Sequence, residues 1–131
     1  VRWILNPLAV LLNKLLAPVV TIACQYCVHS SLQVLQLLQG RSFEANCRLI
    51  VFDVSNLYPN INRDDLEEDL TQILPNHFGA AMVHLLLDMF QLLVGHQYIQ
   101  LHGAVYHMAA GISMGMACAV QLANIYLSGL D

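Results

Sequence analysis

One carboxylate stands near the end of an otherwise apolar run, LIVFDV at residues 49–54. An aspartate among apolar neighbours is costly unless something uses it. Asp53 could ligate a hard cation such as Mg²⁺ through oxygen, or simply cap the turn that follows. A second grouping is Gly111-Ile112-Ser113-Met114-Gly115. Its glycines suit a loop that lets backbone approach a ligand closely. The same spacing is also the GxxxG packing face of membrane helices. A third grouping, Cys24-x-x-Cys27-x-His29, invites a metal or redox role. A haem site needs histidine directly after the second cysteine. A structural zinc site needs about four ligands, and no second Cys/His pair lies near. These read as structural thiols of a reducing compartment. Asp64-Asp65 opens the acidic string DDLEED and fits the positive first turn of a helix. The histidines His77, His84, His96, His102 and His107 lack the i, i+4 pairing of a helical metal site.

The elements that must position these residues follow from periodicity and breakers. Apolar spacing predicts a helix over residues 8–17, with Pro7 in its first turn and Pro18 as its stop. Residues 30–38 read as a second helix ended by Gly40. Residues 49–54 read as a buried central strand, and 56–62 (NLYPNIN) as a turn. Asn62 is a good N-cap for a helix reaching about residue 74. Pro75, Asn76 and Gly79 break it, and residues 80–94 form another amphipathic helix. Alternating residues 98–101 and 104–108 flank His102-Gly103 and predict a β-hairpin. Residues 111–115 are a loop, and 117–130 a helix.

Composition narrows the class. The chain has 131 residues, of which 57% are hydrophobic and 11% charged, with net charge −4. Residues 41–88 hold eleven of the fourteen charged side chains, and residues 89–130 hold none. Disorder is excluded by the apolar content, and a basic nucleic-acid surface on this chain alone by the charge. Four cysteines argue against a disulfide scaffold. Two explanations of the apolar excess remain. One is a membrane segment at residues 3–22 or 104–127, the second containing the GxxxG spacing. The other is the inner part of a larger polar protein.

The string VFDVSNLYPNIN, with Asp53, Leu57, Tyr58 and Ile61, closely resembles the first catalytic motif of reverse transcriptase palm domains. GISMGMACAVQLANIYL further along is similar to the second palm motif and its Ala-Asn-x-Tyr-Leu helix. QYIQLHGAVYHMAAG looks like the hairpin between them, and NPLAVLLNKLLAPV with VHSSLQVLQLL like the helices ahead. The Met-Gly form is most like Penelope-like and related retroelements. The resemblance covers nearly the whole chain. It departs at Met116, where Ser or Thr is usual, at Ser113, often Pro or Ala, and across Ala117, Cys118 and Ala119.

The resemblance implies an α+β fold: part of a right-hand palm, a small antiparallel sheet with helices packed on one face, plus part of the fingers. Residues 1–46 would be finger-to-palm helices and 47–131 the palm. It implies RNA-directed DNA polymerisation on an RNA template with a DNA primer and dNTP, in the cytoplasm or nucleus and without membrane. Two Mg²⁺ ions, or Mn²⁺, would serve the transfer. Asp53 would ligate both and the Val54 carbonyl one. Tyr58 would be the steric gate against a ribose 2′-hydroxyl. Gly111, Ser113, Met114 and Gly115 would line the nucleotide site, and Asn124 would orient that loop. The family's third motif, Tyr-x-Asp-Asp, does not occur among residues 1–131, so this stretch is expected to be a palm segment that is inactive alone. The alternatives are a membrane-associated protein built on the 104–127 helix, and a decayed palm that only binds.

Overall fold

The computed structural model describes residues 3–24, 28 and 30–129. Among the described residues, six α-helices, one short 3₁₀ turn and one β-hairpin make an α+β fold. Helix α1 (Asn6–Ala23) starts with Pro7 in its first turn, where the missing N–H costs nothing. It does not stop at Pro18 as expected. Pro18 withholds one hydrogen bond from the Lys14 carbonyl, but both residues are exposed, so water can take that carbonyl and the helix continues. Helix α2 (Ser31–Leu38) is capped by Ser30, whose hydroxyl accepts the Gln33 N–H at 3.2 Å, and ends before Gly40 at φ +78°.

The expected central strand at residues 49–54 is not formed. That segment has no regular structure, and Leu49, Val51 and Phe52 are 91%, 82% and 89% exposed. Strand-forming side chains need a neighbouring strand and a face to pack on, and no described residues provide either here. The turn expected at 56–62 contains a one-turn helix, α3 (Leu57–Asn60), entered through Asn56 in the left-handed region at φ 53°. Asn62 then caps α4 (Arg63–Ile73), its side-chain oxygen accepting the Asp64 N–H at 2.9 Å, with Asp64 and Asp65 in the first turn. A 3₁₀ turn (Leu74–Asn76) carries Pro75 and leads to α5 (Ala80–Gly95).

Strands β1 (Tyr98–Leu101) and β2 (Ala104–His107) pair antiparallel, Tyr98 opposite His107 and Leu101 opposite Ala104. His102 at φ 50° and Gly103 at φ 83° form the two-residue turn, both left-handed, which matches the strand twist. All eight strand residues are exposed, so the expected packing of helices on one face of the sheet is absent. Helix α6 (Ala119–Ser128) is two residues shorter at its start than expected. Residues 104–118 are hairpin, loop and turn, so no single helix spans 104–127 and the GxxxG spacing lies in a loop.

The core is helix on helix. Helices α1 and α4 each pack against both α5 and α6. Ala9, Leu12, Leu16, Val19 and Val20 of α1 recur at helical spacing and share one core with Leu86, Phe90 and Leu93 of α5, Leu122 and Ile125 of α6, and Leu66 and Leu70 of α4. Fully burying each such Leu or Phe contributes about 1.5–3 kcal/mol. Helix α1 is long and apolar enough to cross a membrane, and its buried face is the one just named. Helix α2 buries no residue.

Candidate functional site

The expected site divides into two parts. Asp53 and Val54 lie on the unpaired segment, exposed, and line neither of the two cavities described below. The remaining residues converge. Tyr58 is half-buried against the core, and its carbonyl accepts the Ile112 N–H at 2.9 Å. Gly111 holds φ +67°, and a Cβ there would stand 2.5 Å from the Pro59 carbonyl oxygen. Only glycine satisfies both the backbone angle and the approach. The segment 58–59 and the loop 111–112 therefore meet backbone against backbone.

Two further side chains hold this loop. The Arg63 guanidinium donates through Nε to the Gly111 carbonyl at 2.7 Å and through Nη2 to the Met108 carbonyl at 2.9 Å. The Ser113 N–H donates to Gln97 Oε1 at 2.6 Å. Beyond that point the chain turns tightly, Met116 N–H donating to the Ser113 carbonyl at 3.1 Å. Met114, at the tip, is 72% exposed, and Gly115 is exposed beside it. Met116, where the resemblance leads one to expect a hydroxyl, is buried in the core. Asn124 contributes its backbone carbonyl as acceptor for the Cys24 thiol at 3.4 Å, a contact between α6 and the end of α1.

The loop separates two cavities. One, of about 360 Å³, lies toward the hairpin and is lined by Trp3, Gln97, Tyr98, Met108, Ser113 and Gly115 among others. The other, of about 390 Å³, lies toward α4 and is lined by Pro59, Asn60, Arg63, Asp64, Ala110 and Gly111 among others. The first offers aromatic and thioether surface beside amide and hydroxyl groups. The second is lined by one residue of each charge, Arg63 and Asp64, beside amide and apolar residues. Tyr58 and Gly111 are thus brought to one junction, Ser113 follows on the same loop against Gln97, Met114 and Gly115 stand exposed at its tip, and Asp53 is not at the junction.

A two-metal centre needs several carboxylates. Among the described residues no three metal-ligating side chains come together, and Asp53 is the sole acid of residues 49–62. These residues do not by themselves fit two magnesium ions. Cys27 and His29 lie outside the described residues. Cys118 is buried, and burial pushes its thiol up to about 11, so it stays protonated at neutral pH.

Arg63 and Gln97 were not evident as site residues from sequence. The signal for Arg63 is a cation directly after a helix cap, where acids are favoured. The signal for Gln97 is a lone amide between an apolar helix and a strand. Comparison with protein families, curated proteins and solved structures finds no match to this chain.

Proposed function

We propose that the chain carries the first two catalytic motifs of a reverse transcriptase palm, from a retroelement of Penelope-like or related type. The observation that supports this reading is the contact of Tyr58 and Pro59 with Gly111 and Ile112. Two segments chosen by motif, far apart in sequence, form one junction held through backbone groups. A junction of that kind suits a base pair and sugar read by shape, with Tyr58 near the sugar and the loop near the base.

On this reading the complete enzyme extends a DNA primer on an RNA template with dNTPs, inside the cell. Asp53 supplies one carboxylate to its magnesium ions, and the exposed segment 49–54 becomes a strand by pairing with further palm strands of the complete enzyme. The chain alone is inactive, since one carboxylate does not fix two ions. The test is primer extension by the protein encoded by the whole reading frame. Template-dependent synthesis that Asp53→Asn abolishes, with helix content unchanged by circular dichroism, supports the proposal. Retained synthesis in that variant removes Asp53 from the metal site. A reading frame that ends without Tyr-x-Asp-Asp or Phe-x-Asp-Asp favours the binding-only palm instead.

A further inference from the structure

Three consecutive residues of the loop are each held from a different direction: Gly111 by Arg63, Ile112 by Tyr58 and Ser113 by Gln97. The Tyr58 bond is backbone to backbone and would survive most substitutions. The other two depend on side chains. We propose that Arg63 and Gln97 are positioning residues that clamp the 111–115 loop from its two sides in the conformation that receives a nucleoside triphosphate, a role that rests on the reading of the loop given above.

Arg63 sits at the first position of α4, where the positive helix end disfavours a cation. Burial also pushes its guanidinium below the ordinary arginine value. Both costs need an offset, and the two carbonyls of Met108 and Gly111 provide it. They are spaced for the rigid fork of a guanidinium, which a lysine ammonium reproduces only at one point. Gln97 is 3% exposed and the one buried polar side chain among the described residues. Its Oε1 accepts from Ser113, its Nε2 donates to the Val94 carbonyl at 3.4 Å, and its own carbonyl accepts the Met108 N–H at 2.8 Å. One residue therefore ties the end of α5, the base of the hairpin and the loop together. Methionine there would keep the volume and strand the Ser113 N–H.

The experiment combines hydrogen exchange of residues 109–116 with calorimetric titration of Mg²⁺-dTTP, in the wild-type protein encoded by the whole reading frame and in its Gln97→Met, Arg63→Met and Arg63→Lys variants. Circular dichroism confirms retained helices in each. The expected result is exchange about tenfold faster in the loop for Gln97→Met and Arg63→Met, as for loss of one hydrogen bond, with dTTP affinity weakened in both. Arg63→Lys is expected to recover part of the affinity. Equal affinity and equal exchange in the wild type and both methionine variants would overturn the clamp while leaving the nucleotide-site reading intact. A wild type that does not bind dTTP would overturn that reading and the positioning role with it.

Discussion

Gly111 and Gly115 share a residue type and differ in what surrounds them. A Cβ at Gly111 meets the Pro59 backbone and a left-handed φ, whereas one at Gly115 reaches only the Ser113 hydroxyl at 3.8 Å. Gly111→Ala is therefore expected to cost about 1–3 kcal/mol, read as a lower urea midpoint. Gly115→Ala should stay within about 0.5 kcal/mol of the wild type, so any effect it has on nucleotide binding belongs to the loop's chemistry. Asp69 makes a pH prediction. Burial first, then the neighbouring charges of Asp65 and Glu68, raises its carboxyl above the ordinary value. A raised acid in the folded state stabilises below the unfolded pKa, and that contribution is lost as pH rises through the folded pKa. Asp69→Asn should thus raise the urea midpoint at pH 7 and give no gain near pH 3. The carboxyl also lies against Gly129 at the negative end of α6, which acts in the same direction. At this scale the sequence made the glycine loop legible, because a left-handed, closely approached backbone position is a problem glycine solves, whereas Tyr58 was singled out by the resemblance alone. It did not reveal Arg63 or Gln97, because their partners are backbone groups, one of them 48 positions away.

Elements with local instructions were readable. The Asn62 cap and the His102-Gly103 turn each rest on short-range chemistry, and the structure has both, while Ser30, read as the first residue of its helix, is that helix's cap. Asn62→Ala should remove about 1 kcal/mol by leaving the Asp64 N–H without its side-chain acceptor, a loss measurable by thermal unfolding. Pro18 misled, because a helix packed along its Leu12–Leu16–Val19–Val20 face tolerates one missing hydrogen bond on its wet side. The LIVFDV run misled for the opposite reason. Its composition asks for a central strand, but a strand is a property of pairs, and the sequence of one segment does not say where its neighbour is.

The whole molecule exposes 9468 Å² of surface, against roughly 6,900 Å² for a compact monomer of 14.6 kDa. Large exposed apolar residues gather in α2, in the 49–54 segment and in the hairpin, including Leu35, Leu37, Phe52, Val105 and Tyr106, with Phe43 between the first two. Apolar exposure on this scale drives association. The isolated chain is expected to sediment as concentration-dependent aggregates. Val51→Lys with Phe52→Asp should reduce that association while leaving the thermal midpoint nearly unchanged, since both side chains are more than 80% exposed. The run of residues 89–130 without a formal charge, which composition alone left open to a membrane, is distributed over the end of α5, the exposed hairpin, the loop and the core helix α6.

The junction of Pro59 with Gly111 carries a consequence for the order in which the chain acquires its structure. Each helix forms through local contacts, whereas this junction must gather segments separated by α4, α5 and the hairpin, and its loop-closure entropy is met before any reward. It is therefore completed after the helices themselves have formed. In stopped-flow experiments Gly111→Ala should speed unfolding and barely change the refolding rate. The residues that would face a nucleotide thus arrive only after the secondary structure that carries them.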